Sequence, residues 1–205
     1  MQQSKLFFYF NGFNAAILPD FSGSPKIAAV AEFAVANGFR FIPVSTCYRR
    51  AREHLGEVLE SIPEGLDEVV FCGSSMGGWF ARILQLHLNL EHPRLPSAAV
   101  AFNPAYDLCD HGHLLLGEQL NFVTGEKYLW TEDHGAELCG LESAVDYDLP
   151  LVFHVFIDKG DEVIDWRRSA SRHASISHLT LFDGGCHSFD HYREALVEFG
   201  DAFLK

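Results

Sequence analysis

Short apolar segments alternate with longer helical segments along almost the whole chain, and this alternation restricts the fold more than any other feature. Apolar runs of strand length that alternate with helices predict a mainly parallel sheet covered by helices on both faces. The predicted strands are 5–10, 39–45, 66–73, 97–104, 149–158 and 176–185, and the predicted helices are 25–37, 49–60, 76–90, 164–175 and 189–204. We therefore expect a three-layer α/β fold with roughly six strands.

The chain organisation suggests one domain with one long insertion. The 205 residues suit a single domain spanning 1–205, because no repeat or low-complexity linker interrupts them. The segment at about 103–147 is too long for a simple crossover and has possible short helices at 112–122 and 134–145. Since irregular insertions of this length are often lids or binding segments, we expect it to cover part of the functional site.

The charge balance and the cysteine pattern exclude several classes of partner. The chain has 28 acidic and 15 basic residues, a formal charge of −13, which disfavours nucleic acid and anionic membrane surfaces as partners. No apolar run approaches the roughly 20 residues that span a bilayer, and no signal peptide is recognisable. The five scattered cysteines, without a C-x-x-C pair, favour reduced thiols in a cytoplasmic protein.

The segment FCGSSMGGW, residues 71–79, lies between a predicted strand and a predicted helix. It matches the pattern G-x-S-x-G with Ser75 at the centre, and Gly73 and Gly77 allow the sharp turn that this pattern requires. A Gly/Ser turn without chemistry is the alternative interpretation. The strand before it and the helix after it favour Ser75 as a nucleophile, with the N–H of Met76 as a donor to an oxyanion.

A serine nucleophile needs a base and an acid, which in this architecture follow it along the chain in the order Ser, Asp or Glu, His. Asp161 follows the fifth predicted strand, and His187 follows the sixth. Because loops at the carboxyl ends of parallel strands meet at one edge of the sheet, we predict Asp161 as the acid and His187 as the base. The competing acids are Asp158, Glu162 and Asp165, and the competing base is His191.

The loop after the first predicted strand, NGFN at 11–14, is the expected source of a second oxyanion donor. Gly12 permits an unusual backbone angle there, and the N–H of Phe13 is the candidate donor, although Asn-Gly also encodes a plain turn. The predicted substrate-binding residues are Asn11, Gly12, Trp79 and Asn103.

With these motifs in their order and spacing, the chain resembles the α/β-hydrolase superfamily and, more narrowly, the small YqiA/YcfP-like esterases. The resemblance covers nearly the whole chain and is carried by NGFN, GSSMGGW, FNPA (102–105), TGEKY (124–128), GDEVIDW (160–166) and GGCHSF (184–189). It implies the same roles for Ser75, Asp161 and His187, and it implies cleavage of esters or thioesters. Asn11 departs from the family pattern, which has a histidine at this position, so the geometry of the oxyanion loop is in question.

We therefore predict a serine hydrolase that cleaves carboxylic esters or thioesters of small molecules through an acyl-enzyme, without a cofactor. The alternatives are an acyl-CoA thioesterase and a catalytically silent binding protein that kept the fold. The segment Cys109–His113 offers metal-type ligands, but it lacks a convincing second cluster, so we predict no metal site. The basic cluster at 49–52 is expected to cover a helix face or to contact an anionic group of the substrate.

Overall fold

The computed structural model describes residues 4–203 and contains a six-stranded parallel sheet. Its strands are β1 (Lys5–Phe10), β2 (Arg40–Val44), β3 (Glu68–Ser74), β4 (Ser97–Phe102), β7 (Val152–Asp158) and β8 (His178–Phe182), and a separate antiparallel hairpin is formed by β5 (Gly117–Leu120) and β6 (Lys127–Trp130). The order in the large sheet is β2-β1-β3-β4-β7-β8, and every neighbouring pair is parallel. The predicted α/β fold is confirmed.

Helices cover both faces of this sheet. They are α1 (Pro25–Ala36), α2 (Ala51–Glu60), α3 (Met76–Glu91), α4 (Leu108–His111), α5 (Glu132–Ser143), α6 (Trp166–His173) and α7 (Tyr192–Phe203). α1 begins where Ser24 Oγ accepts a hydrogen bond from the backbone N–H of Ile27, and Pro25 occupies its first turn. None of the helices within residues 4–203 is long and apolar enough to cross a lipid bilayer.

The alternation of side chains along β1 shows how the two layers of the core form. Phe8 and Phe10 point to the face that α2 and α3 cover, whereas Phe7 and Tyr9 point to the face that α1 and α7 cover. All four side chains are at most 1% exposed, and burial of a large apolar side chain contributes about 1.5–3 kcal/mol. Because both faces are buried, the central strands appear in the sequence as continuous apolar runs.

The insertion between β4 and β7 differs from its predicted structure in one part. The helix predicted at 134–145 is present as α5, but the helix predicted at 112–122 is wrong. A short 3-10 turn at Gly112–Leu115 is followed there by the β5–β6 hairpin. Gly117 and Gly125 have φ angles of +111° and +73°, which favour a turn and a hairpin over a helix.

A disulfide joins the two helices of this insertion. Cys109 of α4 and Cys139 of α5 are bonded, with their Cα atoms 4.5 Å apart. The expectation that the cysteines remain reduced thiols is therefore wrong for this pair, because the fold brings together two residues that are 30 positions apart in sequence. Cys47, Cys72 and Cys186 are free.

Candidate active site

Ser75 occupies a strained backbone position at the junction of β3 and α3. Its φ and ψ angles are +56° and −125°, a conformation that residues other than glycine rarely adopt. Two flanking glycines make the turn sterically possible. A Cβ atom on Gly73 would lie 2.2 Å from the carbonyl of Gly77, and one on Gly77 would lie 2.3 Å from the carbonyl oxygen of Phe10. Gly73 and Gly77 therefore match the predicted requirement for small residues on both sides of Ser75.

The imidazole of His187 lies between the hydroxyl of Ser75 and the carboxylate of Asp161. His187 Nε2 is 3.1 Å from Ser75 Oγ, and His187 Nδ1 is 2.9 Å from Asp161 Oδ2. The Asp161 carboxylate also accepts backbone hydrogen bonds of 2.8 Å from Val163 and Ile164. These contacts hold the carboxylate in one orientation, and the carboxylate in turn orients the imidazole toward Ser75.

The competing acid and the competing base are paired with each other. Asp158 is completely buried, and its Oδ1 is 2.6 Å from Nδ1 of His191. Its Oδ2 accepts a hydrogen bond of 2.7 Å from the backbone N–H of Asp190. Of the other acids weighed, Glu162 accepts the backbone N–H of His187, and Asp165 caps α6. Asp161 is thus the acid whose carboxylate contacts the imidazole of His187.

Asn103 supports the loop that carries His187. Its Nδ2 donates to the carbonyl oxygens of Cys186, at 2.9 Å, and His187, at 3.3 Å. Its Oδ1 accepts a hydrogen bond of 2.8 Å from the backbone N–H of Asp158. The side chain is 1% exposed, so the prediction that Asn103 binds substrate is not what the structure indicates. Instead, Asn103 connects the end of β4 to the histidine loop.

The first loop lies directly against Ser75. The position where Gly12 would carry a Cβ atom is 3.3 Å from Ser75 Cβ, so this glycine allows the close approach of the loop. Asn11 is 4% exposed, and its Nδ2 donates to the carbonyl oxygens of Gly12, at 2.8 Å, and Ala15, at 2.7 Å. Its Oδ1 accepts the backbone N–H of Thr46 at 2.7 Å. Asn11 therefore supplies the internal hydrogen bonds of this loop.

The two predicted oxyanion donors belong to segments on either side of Ser75. Met76 follows it as the first residue of α3, where a backbone N–H has no partner within the helix. Phe13 lies in the first loop, and its ring packs against Tyr48, Tyr128 and Trp130. Neither N–H group has a protein acceptor among residues 4–203.

A depression of about 450 Å³ opens beside Ser75 and His187. Its walls come from the first loop, the segment before α1 and the first turn of α1, the end of β3, the loop after β8 and one residue of the insertion. They include Asn11, Gly12, Phe13, Leu18, Phe21, Ser22, Ser24, Lys26, Ser74, Val123 and Ser188. A larger groove of about 980 Å³ lies elsewhere, between the C-terminal ends of α2 and α3, and contains none of the candidate catalytic residues. We take the depression at Ser75 as the candidate substrate site.

The hairpin of the insertion packs against the first loop and so forms part of this site. The backbone N–H of Phe122 donates to the carbonyl oxygen of Asn14 at 2.9 Å, and Asn14 Nδ2 donates to Gln119 Oε1 at 2.8 Å. Val123 lines the depression, while the ring of Phe122 beside it is 78% exposed. The insertion therefore lies at the rim of the site, as a partial cover would.

Trp79 does not line the depression, which corrects the prediction that it binds substrate. Its indole is fully buried in the core beneath α3 and stacks on Phe80, with the ring centroids 6.2 Å apart. Trp79 is the fourth residue of α3 and packs within the hydrophobic core on that face of the sheet, whereas other segments line the depression.

The two other clusters singled out in the sequence have structural partners. Cys109 is in the disulfide, and no three His, Cys, Asp or Glu side chains within residues 4–203 come together as a metal site. In the basic cluster, Arg49 pairs with Glu126 at 2.7 Å and lies over the ring of Tyr128. Arg50 pairs with Glu53. Arg49 thus links the segment before α2 to the insertion, and Arg50 lies on the surface of α2.

Sequence reasoning missed Lys26. Its ammonium group donates to Ser74 Oγ at 2.8 Å and to the carbonyl oxygen of Ser188 at 2.5 Å. The only local signal is its position in the first turn of α1, directly after Pro25, and that position does not indicate a role at a site. Ser74, the residue before Ser75, is therefore an acceptor for this cation.

Comparisons with known proteins agree with this fold. The model of the uncharacterised protein family UPF0227 matches residues 8–201. Est1E from Butyrivibrio proteoclasticus is 14% identical and matches 100% of this chain and 88% of its own, with a TM-score of 0.71. The alpha/beta hydrolase domain-containing protein 10 from mouse is 18% identical, with 96% and 88% covered and a TM-score of 0.65. The esterase domain of a Rhodothermus marinus protein is 13% identical, with 100% and 90% covered and a TM-score of 0.64.

No curated protein gives a significant sequence match. At identities this low, the similarity to the solved structures establishes the fold, which is the α/β-hydrolase fold. The match to the family model spans most of the chain and confirms the resemblance stated from the motifs.

Proposed function

This chain belongs to the UPF0227 family and has an α/β-hydrolase fold, and on that basis we propose that it is a serine hydrolase of carboxylic esters or thioesters. One observation carries the proposal. Ser75 Oγ, on a strained turn, is 3.1 Å from Nε2 of a histidine whose Nδ1 is 2.9 Å from a carboxylate. A hydroxyl, a base and an orienting acid in this order form the constellation that activates serine for acyl transfer.

In the acylation half of the proposed reaction, His187 Nε2 accepts the proton of Ser75 Oγ while this oxygen attacks the carbonyl carbon. The backbone N–H groups of Met76 and Phe13 donate to the oxyanion of the tetrahedral intermediate. Asp161 stabilises the imidazolium that forms and holds its ring in place. When the intermediate collapses, the imidazolium gives its proton to the departing alkoxide or thiolate, and an acyl group remains on Ser75.

In the deacylation half, a water molecule replaces the leaving group. His187 Nε2 accepts a proton from this water, whose oxygen attacks the acyl carbon. The second tetrahedral intermediate collapses, its electron pair returns to Ser75 Oγ, and the imidazolium gives the proton back to that oxygen. The products are the carboxylic acid and the free enzyme, so the cycle needs no cofactor.

The size and the lining of the depression favour small esters over long acyl-CoA thioesters. Its volume of about 450 Å³ accommodates a short acyl group and its leaving group. The arginines of the basic cluster are not free to hold the phosphates of a coenzyme A ester, because Arg49 is paired with Glu126 and Arg50 with Glu53. We therefore rank short-chain carboxylesters first and acyl-CoA thioesters second.

Labelling with a fluorophosphonate probe tests the nucleophile. We expect the wild-type protein to be labelled and Ser75→Ala to show no labelling and no ester turnover, with the same circular dichroism spectrum as the wild type. Ser74→Ala is the matched control, because it removes the neighbouring hydroxyl, and it should still be labelled. Labelling that persists in Ser75→Ala would assign the nucleophile elsewhere. Absence of labelling in the wild type would favour a silent binding protein.

A panel of p-nitrophenyl esters and acyl-CoA thioesters of increasing chain length tests the substrate class. We expect kcat/KM to be highest for acetyl to butyryl esters and to fall by about tenfold or more for chains that exceed the depression. A burst of p-nitrophenol equal to the enzyme concentration would identify an acyl-enzyme. Faster turnover of the CoA thioesters than of the matched p-nitrophenyl esters would reverse the ranking.

A further inference from the structure

Among residues 4–203, Lys26 is the one basic residue apart from His187 that lines the depression, and the proposed reaction does not use it. Its side chain extends from the first turn of α1 across the carboxyl edge of the sheet. The ammonium group donates to Ser74 Oγ at 2.8 Å and to the carbonyl oxygen of Ser188 at 2.5 Å. Both acceptors are electrically neutral, so this contact is different from an ordinary ion pair.

The two acceptors are the chain neighbours of two members of the proposed triad. Ser74 precedes Ser75 at the end of β3, and Ser188 follows His187 in the loop after β8. One ammonium group therefore links the segment of the nucleophile to the segment of the base. These segments are more than 100 residues apart in sequence, since Ser75 and His187 are separated by 112 positions.

Several contacts hold the loop of His187. Asn103, at the end of β4, donates to the carbonyl oxygens of Cys186 and His187, and Glu162 accepts the backbone N–H of His187. Lys26, from α1, donates to the next carbonyl oxygen, that of Ser188. Of these three side chains, Lys26 is the one that also hydrogen-bonds a residue of the turn that carries Ser75. It therefore links the two segments through a single group.

The surroundings of Lys26 disfavour its charged form, which suggests that the charge has a function. No carboxylate within residues 4–203 lies within ion-pair distance of its Nζ. Burial lowers the pKa of Lys26 to about 8, although the titratable groups that face it, Cys72, Cys186, Asp158 and Asp190, act in the opposite direction. Lys26 is half-buried and has no carboxylate within ion-pair distance, so partial removal of its charge from water is a cost that packing alone does not explain.

We propose that Lys26 is a positioning residue, which links Ser74 to Ser188 and thereby holds Ser75 Oγ and His187 Nε2 at proton-transfer distance. The inference rests on the proposed function and adds to it a residue that acts through the turn that carries Ser75 and through the loop that carries His187. Displacement of a catalytic pair by about 1 Å can lower a rate by about 10²-fold, so the link has kinetic consequences even without contact to substrate.

A double-mutant cycle on kcat tests this role. Lys26→Met keeps the apolar stem and removes the donors, and we expect kcat to fall by about 10- to 100-fold while KM changes by less than about twofold. Ser74→Ala removes one of the two acceptors and should lower kcat by about 3- to 10-fold. Because Ser74 acts through Lys26, the double variant should have the kcat of Lys26→Met alone rather than the product of the two effects.

Lys159→Met is the matched control, since Lys159 is at the same edge of the sheet and pairs with the exposed Asp183 at 2.6 Å. We expect its kcat and KM to remain within about twofold of the wild-type values. For Lys26→Met, an unchanged kcat, or a raised KM with kcat intact, would overturn the proposal; the second result would indicate direct substrate contact. If Lys26→Met does not fold, the fall of kcat in Ser74→Ala decides the question, and an unchanged kcat there overturns the proposal.

A readout without turnover separates this inference from the proposed function. The proton on Nδ1 of His187, hydrogen-bonded to Asp161, should give a downfield NMR signal in the wild type. In Lys26→Met we expect this signal to broaden or disappear, because the loop loses one of its supports. Failure of the wild type to react with fluorophosphonate would overturn the proposed function alone. An unchanged NMR signal in Lys26→Met would overturn the role of Lys26.

Discussion

Two Asp–His pairs lie at the same edge of the sheet, and they differ in what the histidine reaches. In one pair, His187 is 23% exposed, its Nδ1 contacts the buried carboxylate of Asp161, and its Nε2 contacts Ser75. In the other, His191 is 28% exposed, its Nδ1 contacts the buried carboxylate of Asp158, and its ring stacks on Phe182. The two carboxylates are three residues apart and the two imidazoles four, yet of these two imidazoles it is His187 that contacts the hydroxyl of Ser75.

This contrast shows that a buried carboxylate on an imidazole is not by itself a sign of catalysis. Asp158 also accepts the backbone N–H of Asp190, so this pair fastens the start of α7 to the end of β7. Asp161 instead accepts backbone hydrogen bonds from Val163 and Ile164, within its own loop, which aims it at His187. The Asp158–His191 pair is expected to contribute to stability, and the Asp161–His187 pair to catalysis.

Replacing each histidine in turn should give the largest difference between the two pairs in kcat and in the free energy of unfolding. In His187→Gln we expect kcat to fall by about 10⁴-fold or more, because the serine loses its base. In His191→Gln we expect kcat to stay within about tenfold, while the free energy of unfolding falls by about 2–3 kcal/mol, because the buried Asp158 loses a partner. Ester turnover and urea denaturation measure the two effects. Comparable losses of kcat in both variants would contradict the division of roles.

Replacing each aspartate in turn should give a smaller difference of the same kind, with kcat lowered in one variant and stability lowered in the other. Asp161→Asn is expected to lower kcat by about 10³- to 10⁴-fold with little change in the unfolding midpoint, because an amide cannot hold the imidazolium as a carboxylate does. Asp158→Asn should instead lower the free energy of unfolding by about 2 kcal/mol. The pair of measurements is again kcat and urea denaturation, and a more severe loss of activity in Asp158→Asn would exchange the roles of the two acids.

Two adjacent glycines provide a steric test of the environment of Asp158, the carboxylate that pairs with His191. Gly184 and Gly185 both have positive φ angles, +77° and +74°, so alanine is strained at each. A Cβ atom on Gly185 would lie 2.0 Å from Asp158 Oδ2, whereas one on Gly184 has no neighbour within 4 Å. We expect Gly184→Ala to cost about 1 kcal/mol of unfolding free energy and Gly185→Ala at least about twice that. Equal costs would mean that the loop moves freely away from Asp158.

Buried histidines that are not paired with a carboxylate are expected to make the protein less stable at low pH. His154 and His173 are buried, and burial lowers the pKa of each to about 4. Between that value and an unfolded pKa of about 6.5, the unfolded chain binds more protons, so stability is complete above about pH 6.5 and falls as the pH drops toward 4.

The expected loss is on the order of 1 kcal/mol for each of these two histidines at about pH 5.5. The measurement is the urea midpoint from pH 7 to 4.5 for the wild type and for His173→Phe, which should lose less stability on acidification. The same pH slope in both proteins would exclude His173 as a source of the acid sensitivity.

Local patterns were sufficient to predict much of the fold and the members of the candidate triad. The apolar runs predicted the six parallel strands, and the glycines around Ser75 indicated the strained turn. The helix predicted at 112–122 is wrong, because Gly117 begins a hairpin and Gly125 lies in its turn, both with positive φ angles. The prediction that Trp79 binds substrate is wrong because its indole is buried in the core, and a local pattern does not distinguish a core aromatic side chain from one that lines a pocket.

The features that sequence reasoning missed all depend on contacts between distant segments. Lys26 reaches across 162 positions to Ser188, Asn103 reaches across 83 to Cys186, and Cys109 reaches across 30 to Cys139. A lysine near a helix start, an asparagine before a proline and a scattered cysteine have no distinctive local pattern. Their partners appear only when the loops are placed in three dimensions.

Most of the order of strands and helices, and the position of the sharp turn at Ser75, can be predicted from local patterns, because side-chain period and glycine spacing are local properties of a chain. Which histidine contacts which aspartate, and which cation links Ser74 to Ser188, depends on how the loops are placed in three dimensions. These choices depend on the direction in which each loop leaves the sheet, and Gly184, Gly185 and Phe189 set that direction with positive φ angles. Differences of a few ångströms, which no local pattern records, separate the pair that faces Ser75 from the pair that supports a helix.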